Sequence, residues 1–268
     1  MKKTFKRSML ISLSFAVFAL SVTAYGADCP NGQYLIGSPA VCKVPTPDEG
    51  KVLLEDGNST FVAGAGALDL LTANASVAKR TVVAAGQKPF AIVLTCSDSR
   101  VPPEILFNKG LGEIFTVRVA GNVLDPHQLG SIEYAIEHLG VKLVVALGHE
   151  KCGAVKAAYD DHGIGTDLGP NLNHLISGID ASIGATIDSY VLANGTKPIV
   201  GSPAETALVQ QCIVDNLSAV TASLKSRSTI IAEYADGNPA AIPPILPDTV
   251  KIYSAMYNLD TGAVTFAP

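Results

Sequence analysis

The chain has no tryptophan in its 268 residues, so no site built on an indole is open to it. It has no internal repeat. It has no basic stripe: 19 lysines and arginines stand against 24 aspartates and glutamates, which argues against nucleic acid as a partner. It also has no long apolar run. The longest, residues 9–20, extends for about a dozen residues where a bilayer span needs ~20. That run follows Lys2, Lys3, Lys6 and Arg7 and precedes small residues at Ala24 and Gly26. Together these read as a bacterial-type export leader over residues 1–26, cleaved after Ala24 or Gly26. Asp28 before Cys29 does not suit a lipoprotein site, so no stable membrane anchor is expected. The location read from the leader is periplasmic or secreted. Losing the four leader cations takes the balance from 19 against 24 to 15 against 24, a net −9.

About 240 residues remain, enough for one α/β domain with a well-buried core. Cysteine is scarce, and its five positions fall into three groups. Cys29 and Cys42 lie in a Pro/Gly-rich extension, residues 27–46, where an oxidising compartment predicts a disulfide between them. Cys212 lies in a helical pattern and reads as a small core residue. Cys96 and Cys152 do not fit either description.

The domain proper, residues 47–268, shows α/β punctuation. Its start carries weak helical periodicity interrupted by Gly57, Gly64 and Gly66. Residues 90–94 are a continuous apolar run, as in a strand buried on both faces. Residues 113–119 and 141–147 give two further strands. Between these two, Asp125, Pro126 and Gly140 delimit a helix with Leu129, Ile132, Ile136 and Leu139 on one face. Strand, helix, strand at this spacing predicts a right-handed crossover in a mostly parallel sheet flanked by helices. A second long helix opens with a capping box at Ser202 and Glu205. Residues 250–267 read as a hairpin turning at Asp260-Thr261-Gly262. The Gly/Asn/Pro-rich stretch 163–201 predicts only a short helix at 172–183.

The first apolar strand ends at Thr95, so Cys96 emerges at its carboxyl end. The third ends at Leu147-Gly148, so His149 emerges at the same sheet edge, with Cys152 one turn on. In open α/β sheets that edge is where ligands bind. Cys₂His is the ligand set of a catalytic zinc, with a fourth position left open. A Cys96–Cys152 disulfide and two unrelated thiols stay open on these residues alone. Gly148 and Gly153 flank the turn, where a Cβ would obstruct the backbone near a metal. Asp98 and Arg100, two apart at the strand exit, read either as a surface ion pair or as an orienting pair.

Cys96-Ser97-Asp98-Ser99-Arg100-Val101, followed by His149-Glu150-Lys151-Cys152-Gly153, resembles the β-class carbonic anhydrases. The resemblance runs from about residue 53 to the C-terminus. It implies one zinc ion per subunit on Cys96, His149 and Cys152, with Asp98 and Arg100 as the catalytic dyad. Gln87 resembles the family glutamine that hydrogen-bonds carbon dioxide or bicarbonate. Phe115 and Tyr134 resemble aromatics that line the pocket, often from a neighbouring subunit, so a homodimer or tetramer is implied. The implied reaction is reversible hydration of carbon dioxide to bicarbonate by zinc-bound hydroxide, in a pocket walled by Phe115, Val119 and Tyr134. Carbonyl sulfide or carbon disulfide hydrolysis on the same ligands, a non-catalytic zinc module and a thiol redox protein are the competing readings. Arg118-Val119-Ala120-Gly121-Asn122 departs from the family's Arg-Asn-x-Ala-Asn. The missing tryptophan removes the Trp-containing bicarbonate inhibition site of some members. Four Asn-x-Ser/Thr sequons, at Asn58, Asn74, Asn194 and Asn216, are glycan acceptors only in a host that glycosylates exported proteins.

Overall fold

A computed structural model describes residues 29, 32–37, 40–64, 75–235 and 250–267. The leader reading and the Asn74 sequon fall outside the described residues. Among the described residues no helix is long and apolar enough to cross a membrane.

In chain order, β1 (Tyr34–Ile36) and β2 (Val41–Lys43) form a hairpin closed by the Cys29–Cys42 disulfide. Helices α1 (Pro47–Ala63) and α2 (Val77–Val83) lead into β3 (Ala91–Thr95). Helix α3 (Pro103–Leu106), β4 (Ile114–Arg118), a 3₁₀ turn (Ala120–Asn122), α4 (Pro126–Leu139) and β5 (Leu143–His149) follow. Then come α5 (Gly153–Asp161), α6 (Pro170–Asn194), α7 (Pro203–Ser226), α8 (Thr229–Ala235), β6 (Lys251–Tyr257) and β7 (Val264–Phe266).

The main sheet has the order β4-β3-β5-β6-β7, all parallel except the last pair, the expected terminal hairpin. Every residue of β3 and β5 is buried. Their side chains divide between two core clusters, one per face. Ile92 and Leu94 join Val144, Ile132 and Ile136 on one side. Val93 joins Val145, Leu54 and Phe107 on the other. At ~1.5–3 kcal/mol per large aliphatic side chain buried, this layer holds the strand ends, and hence the site, in fixed register.

Four details differ from the sequence reading. β5 runs on to His149, so the imidazole is the last strand residue. Helix α6 is 25 residues, not the short helix expected at 172–183, with Ile176, Ile179, Ile183 and Ile187 forming its buried stripe. Gly57 does not interrupt α1. A Cβ there would stand 1.8 Å from the Phe107 carbonyl oxygen, so the glycine permits helix and loop to touch. At α7 half the capping box forms: Ser202 Oγ accepts from Glu205 N at 3.1 Å. The Glu205 carboxylate instead accepts from Gly201 N at 2.6 Å and faces Lys156 at 3.3 Å. Asn58 and Asn216 are buried and hydrogen-bonded, so neither sequon is reachable once the chain is folded.

Candidate metal centre

The parallel register pairs Thr95 with Leu147, and Thr95 Oγ1 donates to the Leu147 carbonyl at 2.8 Å. One step on, Cys96 and the Gly148-His149 strand end lie side by side. Cys152 is the N-cap residue of α5. The Sγ atoms of Cys96 and Cys152 and a ring nitrogen of His149 lie within 4.8 Å of one another, all three residues buried. The sulfurs are free thiols, which removes the disulfide reading.

The donors suit a dication. His149 Nδ1 lies 2.8 Å from the Glu150 carbonyl oxygen. That oxygen only accepts, so Nδ1 carries the proton and Nε2 presents a lone pair. Nε2 is buried and has no protein partner, a costly state unless something else binds it. Cys152 beside it holds the Cys96 thiol well below its usual range, with burial opposing and backbone N–H groups adding to the effect. Two backbone groups also point at its sulfur, Gly121 N at 3.2 Å and Asp98 N at 3.4 Å. Cys152 is pushed up by Cys96 and by burial. A metal binds thiolates, so a dication held by these sulfurs would displace their protons.

Asp98 and Arg100 form a fork. Arg100 Nε and backbone N each donate to Asp98 Oδ1 at 2.9 Å, and Nη2 donates to Oδ2 at 2.7 Å. Arg100 first, and more weakly the other neighbouring groups, hold the Asp98 carboxyl well below the usual carboxylate range despite partial burial. Its Oδ2 stands 4.0 Å from His149 Nε2, so the oriented carboxylate faces the open side of the cluster.

Sequence reasoning missed the braces. Arg118 Nε donates to the Cys96 carbonyl at 3.1 Å and its Nη2 to the Asp98 carbonyl at 2.7 Å, fixing the Cys96–Asp98 loop from the neighbouring strand. Arg118 pairs in register with Thr95, a relation visible only once the sheet is known. Gly121 has φ +65°, and a Cβ there would meet Ile179 Cδ1 at 2.6 Å. Glycine is thus required on two counts for the N–H that reaches Cys96. Lys151, at φ +53° in the His-x-x-Cys turn, is tied by Nζ to Asp260 at 2.7 Å, and its carbonyl receives Arg100 Nη2 at 3.4 Å. The expected obstruction beside a metal does not hold: a Cβ at Gly148 would meet Leu217 and Met256 instead, and one at Gly153 nothing within 4 Å.

The remaining expected residues lie elsewhere in the chain. Val119 packs against the core cluster that includes Cys96 and Cys152. Phe115 pairs with Ile92, three registers before Thr95, about 10 Å back along the sheet. It contacts Tyr134 at 6.5 Å, and that ring in turn contacts His138 at 4.9 Å. Tyr134 is 47% exposed. Gln87 is exposed and precedes β3 at its amino end, the opposite end from Cys96. One chain therefore does not bring Gln87, Phe115 or Tyr134 to the ligand cluster.

A buried Cys₂His set at the carboxyl edge of a mostly parallel sheet, with an aspartate oxygen 4.0 Å from its imidazole, could hold a metal ion. The family model described as "Carbonic anhydrase" matches residues 91–264. Carbonic anhydrase 2 of Mycobacterium tuberculosis is 45% identical over 130 residues, 48% of this chain and 61% of that protein's length. The carbonic anhydrase of Mycolicibacterium smegmatis is 37% identical over 189 residues, 70% of this chain and 82% of the relative. A tetrameric β-carbonic anhydrase from Sordaria macrospora superposes with a TM-score of 0.52 at 22% identity, over 68% of this chain and 82% of that one. The chain belongs to the carbonic anhydrase family, in its β class. The matched region spans less than two thirds of the Mycobacterium tuberculosis protein.

Proposed function

We propose that the protein catalyses the reversible hydration of carbon dioxide, CO₂ + H₂O ⇌ HCO₃⁻ + H⁺, with one zinc ion per subunit on Cys96, His149 and Cys152. A single observation carries the reading: the buried, unpartnered Nε2 of His149 faces two thiol sulfurs and the Arg100-held carboxylate of Asp98. Zinc on such a ligand set supplies Lewis acidity, bringing the pKa of water from ~15.7 toward ~7.

The chain's own residues supply orientation. Asp98, kept ionised by Arg100, accepts a hydrogen bond and cannot donate one. It therefore aligns the attacking oxygen by holding that oxygen's remaining hydrogen. Arg118 keeps Asp98 on station through the loop backbone. Val119 gives the site an apolar wall. Gln87 donates its side-chain amide to a substrate oxygen, and Phe115 and Tyr134 exclude water. Because all three lie away from the cluster in their own chain, they serve a neighbouring copy's centre, and the active unit is a homodimer or larger. The tetrameric relative supports this assembly. The leader-like residues 1–26 and the Cys29–Cys42 disulfide support export to an oxidising space, periplasmic or extracellular.

The test is stopped-flow hydration kinetics across pH on metal-quantified protein, with Asp98→Ala alongside. Loss of the orienting group is expected to lower kcat/KM by about 10²-fold, the lower range for a positioned acid–base group. Equal rates in wild type and variant overturn the assignment. A higher rate on carbonyl sulfide or carbon disulfide than on carbon dioxide reassigns the substrate. Zinc without turnover on any of the three reduces the centre to a structural one.

A further inference from the structure

The N-terminal hairpin lies outside the residues matched by the carbonic anhydrase family. Two strands of three residues each do not persist alone in water, and β2 is largely exposed, with Val41 at 53%. As a source of core the hairpin adds little. Among its described residues the one deeply buried side chain is Tyr34, 3% exposed, and where that side chain goes is specific.

The Tyr34 ring meets Phe90 edge-on at 5.0 Å. Burial first, and then the Glu113 carboxylate beside its hydroxyl, push the Tyr34 phenol well above its usual range. Glu113 holds the neighbourhood together: its carbonyl accepts from Phe90 N at 3.0 Å, its carboxylate accepts from Gly110 N, and Lys79 of α2 lies 3.8 Å away. Gly32 lies directly on Lys88, where a Cβ would come within 2.7 Å of the lysine Cβ. The segment bearing Gln87 runs from α2 to β3. One end is tied to Glu113 through Lys79, the other through Phe90, and the Cβ of the exposed Lys88 lies against Gly32. Phe115 follows Glu113 by two residues on β4. A single tyrosine thus touches the supports of both Gln87 and Phe115.

We infer that the disulfide-closed hairpin is a positioning device for the substrate-side residues, with Tyr34 as its anchor, fixing the Gln87 segment and the start of β4 in one frame. The disulfide joins residues 13 apart and keeps the short hairpin closed, with Tyr34 against Phe90 and Gly32 beside Lys88. The inference rests on the substrate-contacting reading of Gln87 given above.

The experiment uses the zinc-loaded, exported protein and carbon dioxide as the probe. Four forms are compared by stopped-flow kinetics and zinc content: Tyr34→Phe, Cys29→Ser with Cys42→Ser, Gln87→Ala, and Gln87→Ala combined with Tyr34→Phe. Tyr34→Phe keeps the ring and removes only the hydroxyl, so it preserves the fold. Each hairpin variant is expected to raise KM about two- to tenfold, the range of one lost hydrogen bond. Zinc content and kcat per zinc should stay within about twofold of wild type, since the loss lies in substrate binding. Tyr34→Phe should add nothing to the KM of Gln87→Ala, because both act through one contact. A merely structural hairpin would lower the melting temperature and leave KM alone. Unchanged KM in both hairpin variants beside a raised KM in Gln87→Ala overturns the inference, as do fully additive effects. An unchanged KM in Gln87→Ala itself removes the reading of Gln87, and the inference with it.

Discussion

Replacing Gly121 by alanine adds one methyl group to a place that has no room for it. Two costs are readable. The backbone there is left-handed, at φ +65°, and a residue with a Cβ in that conformation costs ~1–2 kcal/mol. The new Cβ would stand 2.6 Å from Ile179 Cδ1 and 3.3 Å from Ala154 Cβ. Ile179 Cδ1 is the tip of a flexible side chain and can turn aside. Ala154 is anchored in the first turn of α5 and cannot. Overpacking of this kind costs ~1–3 kcal/mol, so the sum is about 2–5 kcal/mol. The displaced backbone also withdraws the N–H that lies 3.2 Å from Cys96 Sγ, so metal affinity should fall along with stability. The assay is urea denaturation at fixed protein concentration, zinc-loaded and chelator-treated, plus zinc competition against a chromogenic chelator. Gly121→Ala with Ile179→Val should recover only the Ile179 part of the packing cost and leave the Ala154 and backbone shares. A midpoint shift worth less than ~1 kcal/mol, with unchanged zinc affinity, refutes the argument that this glycine is held by strain and contact together.

Two further expectations concern charge. Arg100→Ala removes the main group that depresses the Asp98 carboxyl, so that pKa rises toward its ordinary ~3.9. The acid limb of kcat/KM should therefore move to higher pH, and an unmoved limb in the pH–rate profile would show that Asp98 does not govern it. His162 lies between Asp180 Oδ1 at 2.6 Å and Asp188 Oδ1 at 3.1 Å, over the gap left by Gly184. Burial lowers its pKa, and the two carboxylates more than reverse this, leaving it raised above 6.5. A raised folded-state value means the stabilisation is fully present below about 6.5 and is lost as pH climbs through the raised value. His162→Gln should thus lower the melting temperature at pH 5.5 more than at pH 9, and equal losses at both would contradict the clamp.

What could be read in advance, and what could not, follows from the range over which each signal acts. β3 and β5 were legible because burial on both faces leaves an unbroken apolar run, a local signature. The ligand set was legible because two strand ends and one turn carry all three donors. Helix α6 outruns the expected 172–183 because the Gly/Asn/Pro-rich composition of 163–201 masks its periodicity. Its stripe of Ile176, Ile179, Ile183 and Ile187 has helical spacing, and Gly184 is small because the His162 ring lies against it, 3.0 Å from where a Cβ would be. Gly57 is the same case, with the Phe107 carbonyl in place of the imidazole. A glycine inside an apolar helical stripe is better read as a point of contact with another segment than as a break. The braces on Cys96 were hidden for a different reason. Arg118 and the Gly121 N–H reach the loop only through the β3–β4 register, and no spacing along the chain announces which residue of one strand will face the end of another. Gln87, Phe115 and Tyr134 mark the far limit of that range: local sequence matched them to a pocket, and the fold of their own chain places them away from it. Residues matched to a site but kept from it by their own fold are best explained by a site completed between copies. The metal cluster should therefore survive dilution to the monomer with its zinc, while turnover should fall with the dimer population, and activity per zinc that is independent of protein concentration down to a demonstrated monomer would show the pocket to be complete in one chain.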